Sequence, residues 1–146
     1  MISFKEKYRR ILHIDLETYS SNDIKYGAYK YADADDFEIM LVGYAYDDDP
    51  VKVIDVASGQ KIPDEFIHDI RDPTILKVAH NATFERVCFS RLILGKGKYL
   101  DAHGWFCTMV MASMLGLPKS LKDVGNALGL PEEDKKKAVI GTKLIS

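Results

Sequence analysis

The apolar pattern of this chain switches between the two-residue period of strands and the three-to-four-residue period of helices. Residues 11–18 are apolar and rich in β-favouring types, which predicts a strand. Residues 37–46 are apolar on both alternating faces, as expected of a strand inside a sheet rather than at its edge. Residues 51–57 predict a third, more exposed strand, because Lys52 and Asp55 interrupt it. Asp47, Asp48, Asp49 and Pro50 separate the second and third runs as a turn, so the two form a hairpin. Ile62, Phe66, Ile67 and Ile70 recur at helical spacing, predicting a helix over 63–71 with Pro63 at its start. A short apolar run, Ile75–Ala79, reads as a buried strand. Asn81 then caps a helix over Ala82–Leu94 that ends near Gly95, with Phe84, Val87, Cys88, Arg91 and Leu92 at helical intervals. Two further helices are predicted: residues 106–115 before Gly116 and Pro118, and 121–128 between Ser120 and Gly129.

The predicted order is β-β-β-α-β-α-α-α, an α/β chain. Three successive strands make a meander, and a fourth, reached through a helix, joins the sheet parallel to a meander strand. Helices must cover the faces of such a mixed sheet.

The 146 residues suit a single domain large enough to bury a core without metal or disulfide staples. With 47% hydrophobic and 29% charged residues the composition is ordinary. No apolar run reaches the roughly 18 residues a membrane span needs. Residues 1–10 are charged and lack a signal core, and Cys88 and Cys107 read as reduced core thiols, which points to the cytoplasm. The charge is divided along the chain. Residues 1–85 carry 10 basic and 17 acidic side chains, whereas residues 86–146 carry 10 and 5. An acidic half beside a basic half suits a carboxylate metal centre next to a phosphate-tracking surface, though uneven charge also arises by chance.

Two constellations carry candidate chemistry. Asp15 and Glu17 are two apart on a strand and share a face with His13, while Ile14 and Leu16 point to the other. Paired carboxylates on an apolar strand need a partner or a cation, and hard ions such as Mg²⁺ and Mn²⁺ take oxygen ligands. A solvent-exposed strand end without chemistry fits the pair as well. The second constellation is Ala79-His80-Asn81-Ala82-Thr83-Phe84-Glu85-Arg86, running off a strand into a helix. There Glu85 falls near the first turn, where the helix dipole favours an acid, as it does in any well-capped helix.

Together these residues resemble the DEDD exonucleases of the ribonuclease-H-like superfamily. Ile14-Asp15-Leu16-Glu17-Thr18 is similar to their first motif, and His80-Asn81-Ala82-Thr83-Phe84-Glu85 to their second, Asn-x-x-Phe-Asp. Tyr26-Gly27-Ala28-Tyr29-Lys30-Tyr31-Ala32, Trp105-Phe106-Cys107-Thr108-Met109 and Gly116-Leu117-Pro118-Lys119-Ser120-Leu121 resemble the version fused to phage and prophage family A DNA polymerases. The second motif departs in ending on Glu85 rather than Asp. The third motif, Tyr-x-x-x-Asp or His-x-x-x-x-Asp, has no match after Glu85. Residues 1–146 are therefore expected to be one incomplete exonuclease-like domain, weakly active or inactive alone, from a truncated gene product or a shortened chain.

The resemblance implies a ribonuclease-H-like fold and proofreading 3′→5′ hydrolysis of single-stranded DNA at its 3′ end. It implies two divalent ions, Mg²⁺ or Mn²⁺, about 4 Å apart. Asp15 would bridge both ions, Glu17 would bind the first ion and the substrate's 3′ end, and Glu85 would serve the second. Leu16, Thr18, Tyr26, Tyr29, Asn81 and Phe84 are the expected nucleic-acid contacts, with a polymerase domain on the same or a companion chain as partner. Two other readings stand beside it. One is a non-catalytic nucleic-acid-binding or structural remnant of a prophage polymerase. The other is an unrelated metal hydrolase with a convergent acidic strand motif.

Overall fold

A computed structural model describes residues 7–109. Strand β1 (Arg10–Tyr19) is followed by a single 3₁₀ turn over Ile24–Tyr26 and a short helix, α1 (Ala28–Ala32). Next come β2 (Glu38–Tyr46), β3 (Lys52–Asp55), α2 (Asp64–Arg71), β4 (Ile75–Ala79), α3 (Ala82–Leu94) and β5 (Trp105–Cys107). The sheet order is β3-β2-β1-β4-β5. The first three strands are an antiparallel meander, while β4 pairs parallel with β1 and β5 parallel with β4.

The alternation in β1 decides what lies on each face. Leu12, Ile14 and Leu16 are buried, and their cross-strand partners on β2 are Tyr46, Tyr44 and Val42. Helices α2 and α3 cover this face with Phe66, Ile70, Phe84, Cys88 and Phe89 in one continuous core. Tyr44 and Phe66 approach to 5.0 Å between ring centroids, and Phe66 and Phe89 to 5.8 Å, so the layers meet through tilted aromatic contacts. On the other face of β1, His13 is exposed and Asp15 and Glu17 are half-buried. The β1–β2 ladder shifts between Glu17 and Thr18, yet Thr18 still faces the buried Ile39.

The ends of α3 follow local chemistry. The Asn81 side chain accepts from the Phe84 N–H, and Gly95 leaves the helix at φ 92°, a left-handed backbone that favours glycine. The N–H of Gly95 reaches the Arg91 carbonyl at 3.2 Å.

One expectation is corrected. The helix predicted over 106–115 begins later: Trp105–Cys107 is a fifth strand paired with Lys77, Val78 and Ala79, and helix starts only at Thr108. Aromatic residues favour the strand here, but the helical run behind them absorbed them into one period. The 3₁₀ turn and α1 were not anticipated, being too short for a periodic signal. The rest of 106–115, the helix predicted over 121–128 and the lysines at 135–137 lie outside the described residues.

Candidate active site

Strand β1 outruns its parallel neighbour. The β1–β4 register runs from Arg10–Ile75 to His13–Val78, and β4 ends at Ala79, level with Ile14. Asp15 and Glu17 therefore project from the part of β1 with no β4 residue beside it. The chain leaving β4 turns through His80 and Asn81 straight into α3, so the first turn of α3 sits at this same end of the sheet. In open α/β sheets the carboxyl ends of the parallel strands are where ligands collect.

Glu85 is in that first turn and is fully buried. Neither of its carboxylate oxygens has a hydrogen-bond partner among the described residues, and Asp15 Oδ1 is likewise buried and unpartnered. Burial, and behind it the neighbouring Asp15 charge and Cys107, push the Glu85 carboxyl well above its usual range. Burial also raises Asp15, from 3.8 to about 7, with the Leu16 backbone N–H offsetting part of the effect. The charge of Asp15 is thus one of the influences on Glu85, behind burial.

Glu17 is half-buried, two residues beyond Asp15 on the same side of β1. The three carboxylates are not drawn tightly together. Among the described residues, the group of three possible metal ligands whose atoms all lie within 4.8 Å of one another is His68, Asp69 and Asp72. That cluster escaped the sequence reading, since its members are spread along one helix and its exit. Its carboxylates already serve the fold: Asp69 holds the Tyr46 hydroxyl, and Asp72 binds Arg9 at 2.9 Å and the Thr74 N–H at 2.8 Å. The orphaned oxygens are on Asp15 and Glu85. Hard oxygen donors that lack side-chain hydrogen-bond partners, they suit a divalent cation of the Mg²⁺ class, whose binding would displace their protons.

The expected nucleic-acid contacts divide by burial. Leu16 is 0% exposed and Phe84 6%, both inside the core. Thr18 is buried with its hydroxyl 2.9 Å from that of Tyr31. All three are turned into the packed interior in this conformation. Tyr26 and Tyr29 are exposed, and Asn81 is half-exposed at the start of α3. His80 ties the strand–helix turn to β5: its Nδ1 is 3.0 Å from Thr108 Oγ1, and its carbonyl accepts from the Cys107 thiol at 3.3 Å.

Comparison with known proteins follows this geometry. A DNA polymerase of Bacillus phage SP02 is 44% identical over 128 residues, which is 87% of this chain and 19% of that polymerase. The chain is a homologue of part of a phage DNA polymerase. It spans about a fifth of the length of the polymerase it matches. No family model matches the chain. Among solved structures, Brucella melitensis NrnC aligns with this polymerase homologue at a TM-score of 0.56 and 21% identity, over 81% of the chain and 52% of NrnC. NrnC with bound Mg²⁺ aligns equally well. The structure of the yeast NOT1 MIF4G domain with CAF1 contains a chain that aligns at 0.54 and 10% identity, over 83% of this chain and 69% of that one. At such identities the likeness is one of fold. The homologue has a ribonuclease-H-like mixed sheet, parallel and antiparallel strands together, under helices.

Proposed function

We propose that this domain is a metal-dependent 3′→5′ exonuclease acting on the 3′ end of single-stranded DNA, in the proofreading role of a phage-type polymerase. The observation that carries the reading is the fully buried Glu85 carboxylate, with neither oxygen hydrogen-bonded, together with the buried, unpartnered Oδ1 of half-buried Asp15, toward the carboxyl ends of β1 and β4. Burying such groups without partners is costly, and a hard cation supplies the missing partner. Asp15, Glu17 and Glu85 would hold divalent ions, Mg²⁺ or Mn²⁺, two in the complete site. Bound there, the ions would activate water and offset charge on the scissile phosphate and the leaving 3′ oxygen.

The chain's own residues do the rest. Burial raises both the Asp15 and Glu85 carboxyls, so a bound cation would take the place of their protons. Glu17, further toward the end of β1, is the acid that reaches the 3′ end of the strand. Asn81 fixes the first turn of α3 and so the position of Glu85. Leu16, Thr18 and Phe84 make the packed floor under these acids, and Tyr26, Tyr29 and Asn81 offer the polar and aromatic surface a strand would touch. The extension of the DNA polymerase relative beyond the matched segment makes a polymerase domain the natural partner.

The test is thermal unfolding with and without Mn²⁺ or Mg²⁺, alongside degradation of a 5′-labelled single-stranded oligonucleotide. Either cation should raise the melting temperature of the wild-type chain but not of Asp15→Asn or Glu85→Gln. Any cation-dependent degradation should fall about 1000-fold in Asp15→Asn. A wild-type chain indifferent to both cations would sink the proposal.

A further inference from the structure

Tyr29 on α1 and Tyr99 on the α3–β5 connection come from distant parts of the chain, yet their rings meet edge to face at 4.9 Å and 79°. Both remain open to solvent, at 45% and 46% exposure. The pair is held by Arg86, next in sequence to Glu85. Its Nη2 donates to the Tyr29 hydroxyl at 3.0 Å, and its Nη1 to the Leu100 carbonyl at 2.8 Å. Ser90 fixes the same connection, accepting from the Leu100 N–H at 2.8 Å and donating to the Arg86 carbonyl at 2.6 Å. Three hydrogen bonds therefore tie α1 and this connection to α3 while both rings stay about half open to solvent. The connection that carries Tyr99 also carries Lys96, paired with Asp35, the exposed Lys98, and one acid, Asp101, two residues beyond Tyr99.

We propose that the Tyr29–Tyr99 pair is a stacking shelf for an unpaired base of single-stranded DNA whose end lies at the acidic centre. This inference rests on the nuclease reading and extends it to the strand's path. The shelf starts from the residue beside Glu85, and α1 is anchored to the same turn of α3 by Tyr31, whose ring lies 5.6 Å from that of Phe84. Rigid aromatic faces beside basic side chains are what sequence-tolerant single-strand binders present. A duplex base offers no free face to such a shelf, so the arrangement selects for unpaired ends.

Fluorescence anisotropy in EDTA, where hydrolysis stops, tests this with a labelled oligothymidylate and an abasic strand of equal length. Tyr99→Ala should weaken oligothymidylate binding by about 5- to 100-fold. Tyr99→Phe should bind like wild type, and the abasic strand should lose little in Tyr99→Ala. The shelf is overturned if Tyr99→Ala binds oligothymidylate within about twofold of wild type, if both strands weaken alike, or if wild type binds neither. Because the measurement excludes metal, these outcomes are separate from the cation-dependent melting that decides the nuclease reading.

Discussion

Asp15 faces Gly43 across the antiparallel β1–β2 ladder. Cross-strand partners share a face, so the carboxylate raised by burial stands beside a position with no side chain. A branched residue there would press on Asp15 while leaving the strand's intrinsic preference no worse. Gly43 is itself buried, so Gly43→Val is expected to cost about 1–3 kcal/mol of metal-free stability. It should at least halve the rise in melting temperature produced by Mn²⁺. Urea unfolding and cation titration of the two chains check this, and an undiminished Mn²⁺ response would show that the glycine does not shape the site.

The carboxyl shifts set a pH dependence with a definite sign. Asp15 titrates at 3.8 when unfolded and about 7 when folded, so between those values the folded state binds more protons. Stability contributed by the protonated form is full below about pH 4 and is lost as pH rises through 7. Glu85, also raised, pulls in the same direction. Asp72, held low by Thr74 and Arg9, acts in the opposite sense, but below the usual carboxylate range and so outside this window. In EDTA the melting temperature should fall from pH 5 to 7, and Asp15→Asn should flatten that fall. Mn²⁺ should restore stability above pH 7 in wild type alone.

Asn81 caps α3 through a long bond of 3.4 Å from the Phe84 N–H. Asn81→Ala should therefore cost toward the low end for a cap, about 0.5–1 kcal/mol. Since Glu85 rides on the first turn, the same variant should weaken the cation response more than this loss of stability accounts for. Chemical denaturation and Mn²⁺ titration together separate the two effects.

Lys77 is buried on β4, its ammonium donating to the carbonyls of Asp72 and Ile75 at 2.8 Å each. Lys77→Met keeps the stem's packing but strands both carbonyls. A loss of about 1–3 kcal/mol in urea unfolding is expected, with cation binding unaffected at the far end of the sheet.

How far the sequence foretold this structure depends on the length of each signal. Ile75–Ala79 and Ala82–Leu94 have the boundaries their periodicity predicted, because each is closed by an unambiguous residue such as Asn81 or Gly95. Trp105–Cys107 was absorbed into a helix since three residues cannot show a period beside a longer helical run. The face carrying Asp15 and Glu17 was legible from alternation alone. That Glu85 would be fully buried with both carboxylate oxygens unpartnered was not, because it depends on how α3 packs against the sheet, which no local pattern encodes. Nor could the sequence tell that Leu16 and Phe84 would be sealed in the core, or that Tyr99 would swing back to meet Tyr29.

The overhang of β1 past β4 also sets where this chain can change length. One residue inserted or deleted in β1 ahead of position 15 would rotate every later side chain to the other face, trading the acids for Leu16 and Thr18. The exposed turn through Asp48 and Asp49 has no such lever on the acids. Among homologues, insertions and deletions should therefore gather at that turn and be missing between Arg10 and Glu17.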